Sequence, residues 1–150
     1  MNTILPFLSD LAQNNNRSWF QENRERYDIA RQAVLDLTGT LIAEIGQFDP
    51  QVRYLEPKEC LFRIYRDTRF SLDKSPYKRH FGIYIAMNGG HRSLFSGYYI
   101  HLEPGNCMLS GGIWCADNQG IKRFRSYIDT EYEELFDIMA QPDLTHYFGD

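Results

Sequence analysis

Apolar residues change their spacing partway along the chain, and that change limits the fold more than any other feature. From Ile4 to Ile45 they recur at steps of three and four. Between about residue 60 and residue 114 they recur at every second position, and beyond about 117 the helical spacing returns. Side chains three or four apart share one face of a helix, and side chains two apart share one face of a strand. The order predicts an α+β domain with N-terminal helices, one of them long, a central antiparallel sheet of about four strands, and C-terminal helices. A chain of 150 residues suits a single domain over 1–150.

The first helix is expected at about 3–12, on Ile4, Leu5, Leu8 and Leu11. Asn16 is placed to cap a second helix over about 17–45, whose stripe is Phe20, Tyr27, Ala30, Val34, Leu37, Leu41 and Ile45. Gly46 reads as its stop. Strands are expected at about 60–66, 80–87, 97–103 and 107–114, and helices at about 117–128 and 130–140. Alternation puts Phe62, Ile64, Phe81, Ile83, Ile85, Ile100, Leu102, Leu109 and Ile113 toward the core. The opposite face then carries Arg63, Tyr65, Tyr84, Tyr99, His101, Glu103, Ser110 and Trp114. Guanidinium, phenol, imidazole, carboxylate and indole groups on one face suit a ligand cleft; they also pack well beneath a covering helix, stems dry and tips wet.

Charge concentrates next to that face. The net charge is −4, yet residues 61–92 carry +5 and residues 103–150 carry −6. An acidic chain with one basic strip suits a discrete anionic ligand better than a long polyanion, which argues against nucleic acid. The strip includes the long connection at about 67–79 between two strands. Arg63, Arg66 and Arg69 can aim planar forks at phosphate or carboxylate oxygens, with Lys74 and Lys78 nearby. Asp67 and Asp73 can equally pair with these cations and merely fix the loop.

Other signals are sparse. Cys60, Cys107 and Cys115 form no CxxC pair, so buried free thiols in a reducing compartment are expected. No apolar run reaches membrane-spanning length, and the N-terminus lacks a basic n-region and a cleavage site. No membrane association and a cytoplasmic location follow as expectations. His101 and Glu103 share a strand face and are the acid–base candidates. They would need a third partner from elsewhere to hold a metal, and without HxH or HExxH spacing no metal is expected. Neither glycine pair has phosphate-loop spacing, and no Ser or Cys sits in a nucleophile motif; the cofactor stays unknown at this level.

Three stretches resemble a mainly bacterial conserved family, the domain of unknown function numbered 2461. They are Asn14–Tyr27 (NNNRSWFQENRERY), Leu61–Lys78 (LFRIYRDTRFSLDKSPYK) and Gly97–Pro104 (GYYIHLEP), with Gly111 and Gly112 following. The similarity spans almost the whole chain, and it implies no activity, cofactor or catalytic residue. The polar residues shared in the family fall here on Asn16, Arg17, Trp19, Asn23, Arg63, Tyr65, Arg66, Asp67, Arg69, Lys74, Lys78, Tyr99, His101 and Glu103. Family members continue past the point matching Asp150, so the resemblance implies a chain cut short at its C-terminus.

The leading expectation is a small anionic ligand held by Arg17, Asn23, Arg63, Arg66, Arg69, Lys74 and Lys78, with Tyr65, Tyr99 or Trp114 in contact. His101 and Glu103 serve any catalysis. A protein-interaction or self-association module using the aromatic face is the alternative, and nucleic-acid binding through the basic strip is the third. Whether the chain is an enzyme, and in what oligomeric state it works, stays open at this level.

Overall fold

Asn16 breaks the first helical pattern and starts the second. Its side-chain oxygen accepts the Trp19 N–H at 3.0 Å, separating α1 (Ile4–Gln13) from α2 (Arg17–Glu22). The computed structural model describes residues 2–114 and 116–149.

The expected single helix over 17–45 is two helices. It breaks at Asn23, and α3 runs over Arg24–Phe48. The Asn23 amide donates to the Trp19 carbonyl at 2.9 Å. Asn side chains compete with helical backbone bonds in this way, and the chain bends where one wins. Gly46 is not the stop. Its Cα lies against Arg53, where an added Cβ would sit 3.3 Å from the Arg53 Cα. The stop is Asp49, which precedes Pro50 and is therefore disfavoured in the helical region; its carboxylate accepts from the Gln51 N–H at 3.1 Å.

The sheet has three strands rather than about four: β1 (Phe81–Ala86), β2 (Gly97–Leu102) and β3 (Met108–Gly112), antiparallel in that order. The missing strand is the segment 60–66. Its start belongs to α4 (Pro57–Cys60), a single turn with proline at its first position. The remainder is extended but irregular, with isolated bridges Leu61↔Ile83 and Tyr65↔Tyr77. Leu61 and Ile64 are both buried. Inward side chains three apart cannot belong to a ladder of period two, so Phe62 turns outward, against expectation.

α1 and α3 cover one face of the sheet. Ile4, Phe7, Leu8 and Leu11 meet Ala30, Val34, Ile42 and Ile45, and these meet Phe81, Ile83, Ile85, Ile100 and Leu102. Each of these side chains other than Ala30 contributes about 1.5–3 kcal/mol by leaving water. Thr38, buried on α3, donates its hydroxyl to the Val34 carbonyl at 2.7 Å. Leu109 and Ile113, expected in the core, are 77% and 43% exposed; every residue of β3 is exposed, whereas β1, the other outer strand, is buried throughout. Cys60 is buried as expected, but Cys107 is exposed; it lies in the turn between β2 and β3, where its thiol donates to the Glu103 carbonyl at 3.2 Å. Cys115 lies outside the described residues.

The chain forms two compact units, Met1–Trp114 and Cys115–Asp150. All of the above belongs to the first. The second holds α5 (Asn118–Thr130), α6 (Tyr132–Met139) and α7 (Pro142–Phe148), and none of the three buries a side chain. Asp117 caps α5 by accepting the Gly120 N–H at 2.6 Å. No helix among the described residues is long and apolar enough to cross a membrane.

Candidate functional site

Register brings the polar face together. β1 and β2 pair with Gly82 opposite His101 and Tyr84 opposite Tyr99. One step beyond the Phe81↔Leu102 pair, the same register sets His80 against Glu103. Side chains two apart share a face, so His80, Tyr99, His101 and Glu103 all project to the side away from α3. Gly82 lies among them without a side chain. A Cβ there would come within 3.1 Å of the Phe62 ring and 3.2 Å of the Tyr99 hydroxyl. Glycine at this position lets those two rings lie over the strand.

A hydrogen-bonded row crosses the face. Tyr99 Oη lies 2.9 Å from His101 Nδ1, and His101 Nε2 lies 3.1 Å from Glu103 Oε2. A carboxylate only accepts, so Nε2 carries hydrogen and the Nδ1 of a neutral ring accepts from Tyr99. Asn106 donates to the same Glu103 oxygen at 3.1 Å. The His101 and Asn106 bonds hold the Glu103 carboxyl below its usual range. The ring of His80 lies over that of His101, centroids 4.2 Å apart. Burial first, then the neighbouring His101 and Lys78, pushes the His80 imidazole down to about 4. His80 is therefore neutral near pH 7.

Beside this row is a hollow of about 260 Å³ lined by Arg66, Asp73, Tyr77, Lys78, Arg79, His80 and Glu103. The cations differ in their partners. Arg66 pairs with Asp73 at 2.5 Å, and also donates to both oxygens of Ser75 and to the Ser71 hydroxyl. Among the described residues Lys78 and Arg79 form no ion pair. Lys78 rests over the Phe62 ring at 5.3 Å, and burial, then Arg63, lowers its ammonium below the usual range.

The remaining expected site residues divide by place. Arg17, Tyr65 and Arg66 line a second hollow of about 300 Å³, which shares Arg66 and Tyr77 with the first. Trp114 and Tyr99 stack at 5.6 Å, with Phe62 against both. Arg63 is exposed near Asp67 and Lys78. Three are engaged within the fold. Arg69 makes a forked pair with Asp67 at 3.0 and 2.6 Å, which draws the Asp67 carboxyl down to about 2. Lys74 donates to the Thr68 carbonyl at 2.9 Å, and Asn23 joins α2 to α3. Tyr84 is on the expected face but buried, its hydroxyl 2.7 Å from the carbonyls of Phe95 and Gly112.

Sequence reasoning missed His80 and Arg79. A signal existed for the first: alternation from Tyr84 and Gly82 leads back to His80 on the Tyr99 face, at the very start of the expected strand. No local pattern marked Arg79.

Residues 3–150 match a family described as Conserved hypothetical protein (DUF2461). No curated protein and no solved structure matches the chain.

Proposed function

The chain belongs to the DUF2461 family, whose name assigns no reaction, and we propose from the site itself that it binds a small anionic ligand bearing phosphate or carboxylate. The hollow between the 67–79 connection and the polar sheet face is the binding place. The observation that supports this most is the state of Lys78 and Arg79. Both line the hollow, and neither is neutralised by a carboxylate among the described residues. A half-buried ammonium carries a desolvation cost, and an arriving anion offsets it. Arg66 supplies the third positive group, already oriented by Asp73, Ser71 and Ser75. Pre-oriented guanidinium forks lose little freedom when they take a phosphate. Glu103 lines the same hollow and is bonded through His101 to Tyr99; that bonded chain supports acid–base work on a bound ligand.

The test is titration with inorganic phosphate, nucleoside phosphates and small carboxylates, followed by the imidazole resonances of His80 and His101. Saturable shifts are expected, lost in Lys78→Ala and Arg79→Ala with folding intact. No response to any of these anions at millimolar concentration would remove the proposal.

A second reading, a self-association surface, is favoured by the exposed Leu109, Ile113 and Trp114 along the edge strand. Sedimentation of the wild type against Trp114→Ala separates the two.

A further inference from the structure

We propose that His80, His101 and Glu103 form a binding site for a divalent transition-metal ion that favours imidazole, of which zinc is the type. The inference stands apart from anion binding, since the three side chains would take the ion with or without an anion beside it.

Two adjacent strands set the three donors. His80 precedes β1, and His101 and Glu103 belong to the end of β2 and the residue after it; register places them on one face with only Gly82 between. One donor atom from each lies within 4.8 Å of the others. Two tetrahedral ligands with bonds of about 2.1 Å stand roughly 3.4 Å apart. His101 Nε2 and Glu103 Oε2 are already 3.1 Å apart. With no pair of donors more than 4.8 Å apart, closing the set requires at most about 1.4 Å of movement in the His80 ring, within reach of a side-chain rotation.

The surroundings match what a bound imidazole needs. A metal-ligating histidine holds its second ring nitrogen to an outer partner, which fixes the tautomer. Tyr99 Oη is that partner, 2.9 Å from Nδ1. On binding, the His101 hydrogen leaves Nε2 for Nδ1 and is donated to Tyr99 Oη, whose own hydroxyl hydrogen turns away from the ring, so the ring and the phenol each keep their proton count. Asn106 goes on holding the Glu103 carboxylate from outside.

The competing account is a Tyr99–His101–Glu103 hydrogen-bonded row without an ion. It leaves His80 unexplained. A second imidazole 4.2 Å from the first adds no link to that row, whereas it completes a two-histidine, one-carboxylate set with open positions toward the hollow. Lys78 and Arg79 in the same hollow repel a bare dication, so affinity in the micromolar rather than the nanomolar range is expected.

The experiment uses the full chain stripped with chelator and titrated with Co²⁺ and Zn²⁺. Wild type is expected to bind about one ion per chain and to show the visible cobalt band of a four- or five-coordinate site. His80→Asn and Glu103→Gln should each weaken binding at least about tenfold, a typical loss for removal of a metal-shell group. His146→Asn, distant in the chain, should leave it unchanged, and circular dichroism checks each fold. Lys78→Ala should keep the metal while losing phosphate, which separates this site from the anion reading. No cobalt band at millimolar metal, or a band that survives in both folded variants, overturns the proposal.

Discussion

His80 and His101 lie ring over ring, centroids 4.2 Å apart and planes tilted by 31°. The pair joins the end of the basic connection to the middle strand, and its chemistry depends on pH. The His80 imidazole is pushed down to about 4 by burial first, then by His101 and Lys78, with Glu103 opposing. In the unfolded chain the same group titrates near about 6.5. Below that value the unfolded state binds more protons, so this contribution is complete above about pH 6.5 and declines as pH falls toward about 4. The loss is on the order of 1–2 kcal/mol once partial exposure is discounted. Denaturant midpoints for wild type and His80→Asn across that interval test it. Equal slopes would show that His80 is not held neutral by the fold.

A side chain at Gly82 is predicted to destabilise the fold. Gly82→Ala would press a methyl against Phe62 and Tyr99 at 3.1–3.3 Å, at a cost of about 1–3 kcal/mol. The Tyr99 ring should tilt, which near-ultraviolet dichroism of the Tyr99–Trp114 stack would register. An unchanged stability would mean the rings move aside freely.

Tyr84 anchors the far end of the same face. Its buried hydroxyl meets the Phe95 and Gly112 carbonyls and accepts from the Trp114 N–H at 3.3 Å. Tyr84→Phe should cost about 1–1.5 kcal/mol, because part-buried backbone groups lose their partner. Amide exchange at Trp114 should quicken. Exchange equal to wild type would assign the anchoring to other contacts.

Arg66 and Arg69 should behave differently although both have acid partners. Arg66 is 25% exposed and ties Asp73, Ser75 and Ser71 together; Arg69 is 76% exposed and pairs only with Asp67. Arg66→Ala should open the connection to proteolysis and lower the melting temperature by several degrees. Arg69→Ala should change neither measurably, since an exposed ion pair adds little. Equal effects of the two substitutions would defeat this division.

Much of the architecture was legible from spacing. The stripe from Phe20 to Ile45 identified the helical layer, and alternation through Ile83, Ile85, Ile100 and Leu102 identified the sheet and its buried face. Alternation also grouped Tyr99, His101 and Glu103. It failed at Leu61–Ile64, where inward residues fall three apart, and at Leu109 and Ile113, where β3 and the residues after it are exposed. The strip between 61 and 92 was visible as charge, but Arg63, Arg66, Arg69, Lys74 and Lys78 looked alike within it.

Local order therefore settled which segments coil, which extend, and which strand residues share a side, because those properties depend on neighbours only a few positions away. The meeting of His80 with His101, the pairing of Arg66 with Asp73, and the open state of Lys78 and Arg79 were decided by packing. The first depends on how β1 aligns with β2, since side chains some twenty positions apart meet only once the helical layer has locked that alignment; the other two depend on how the connection before β1 folds back.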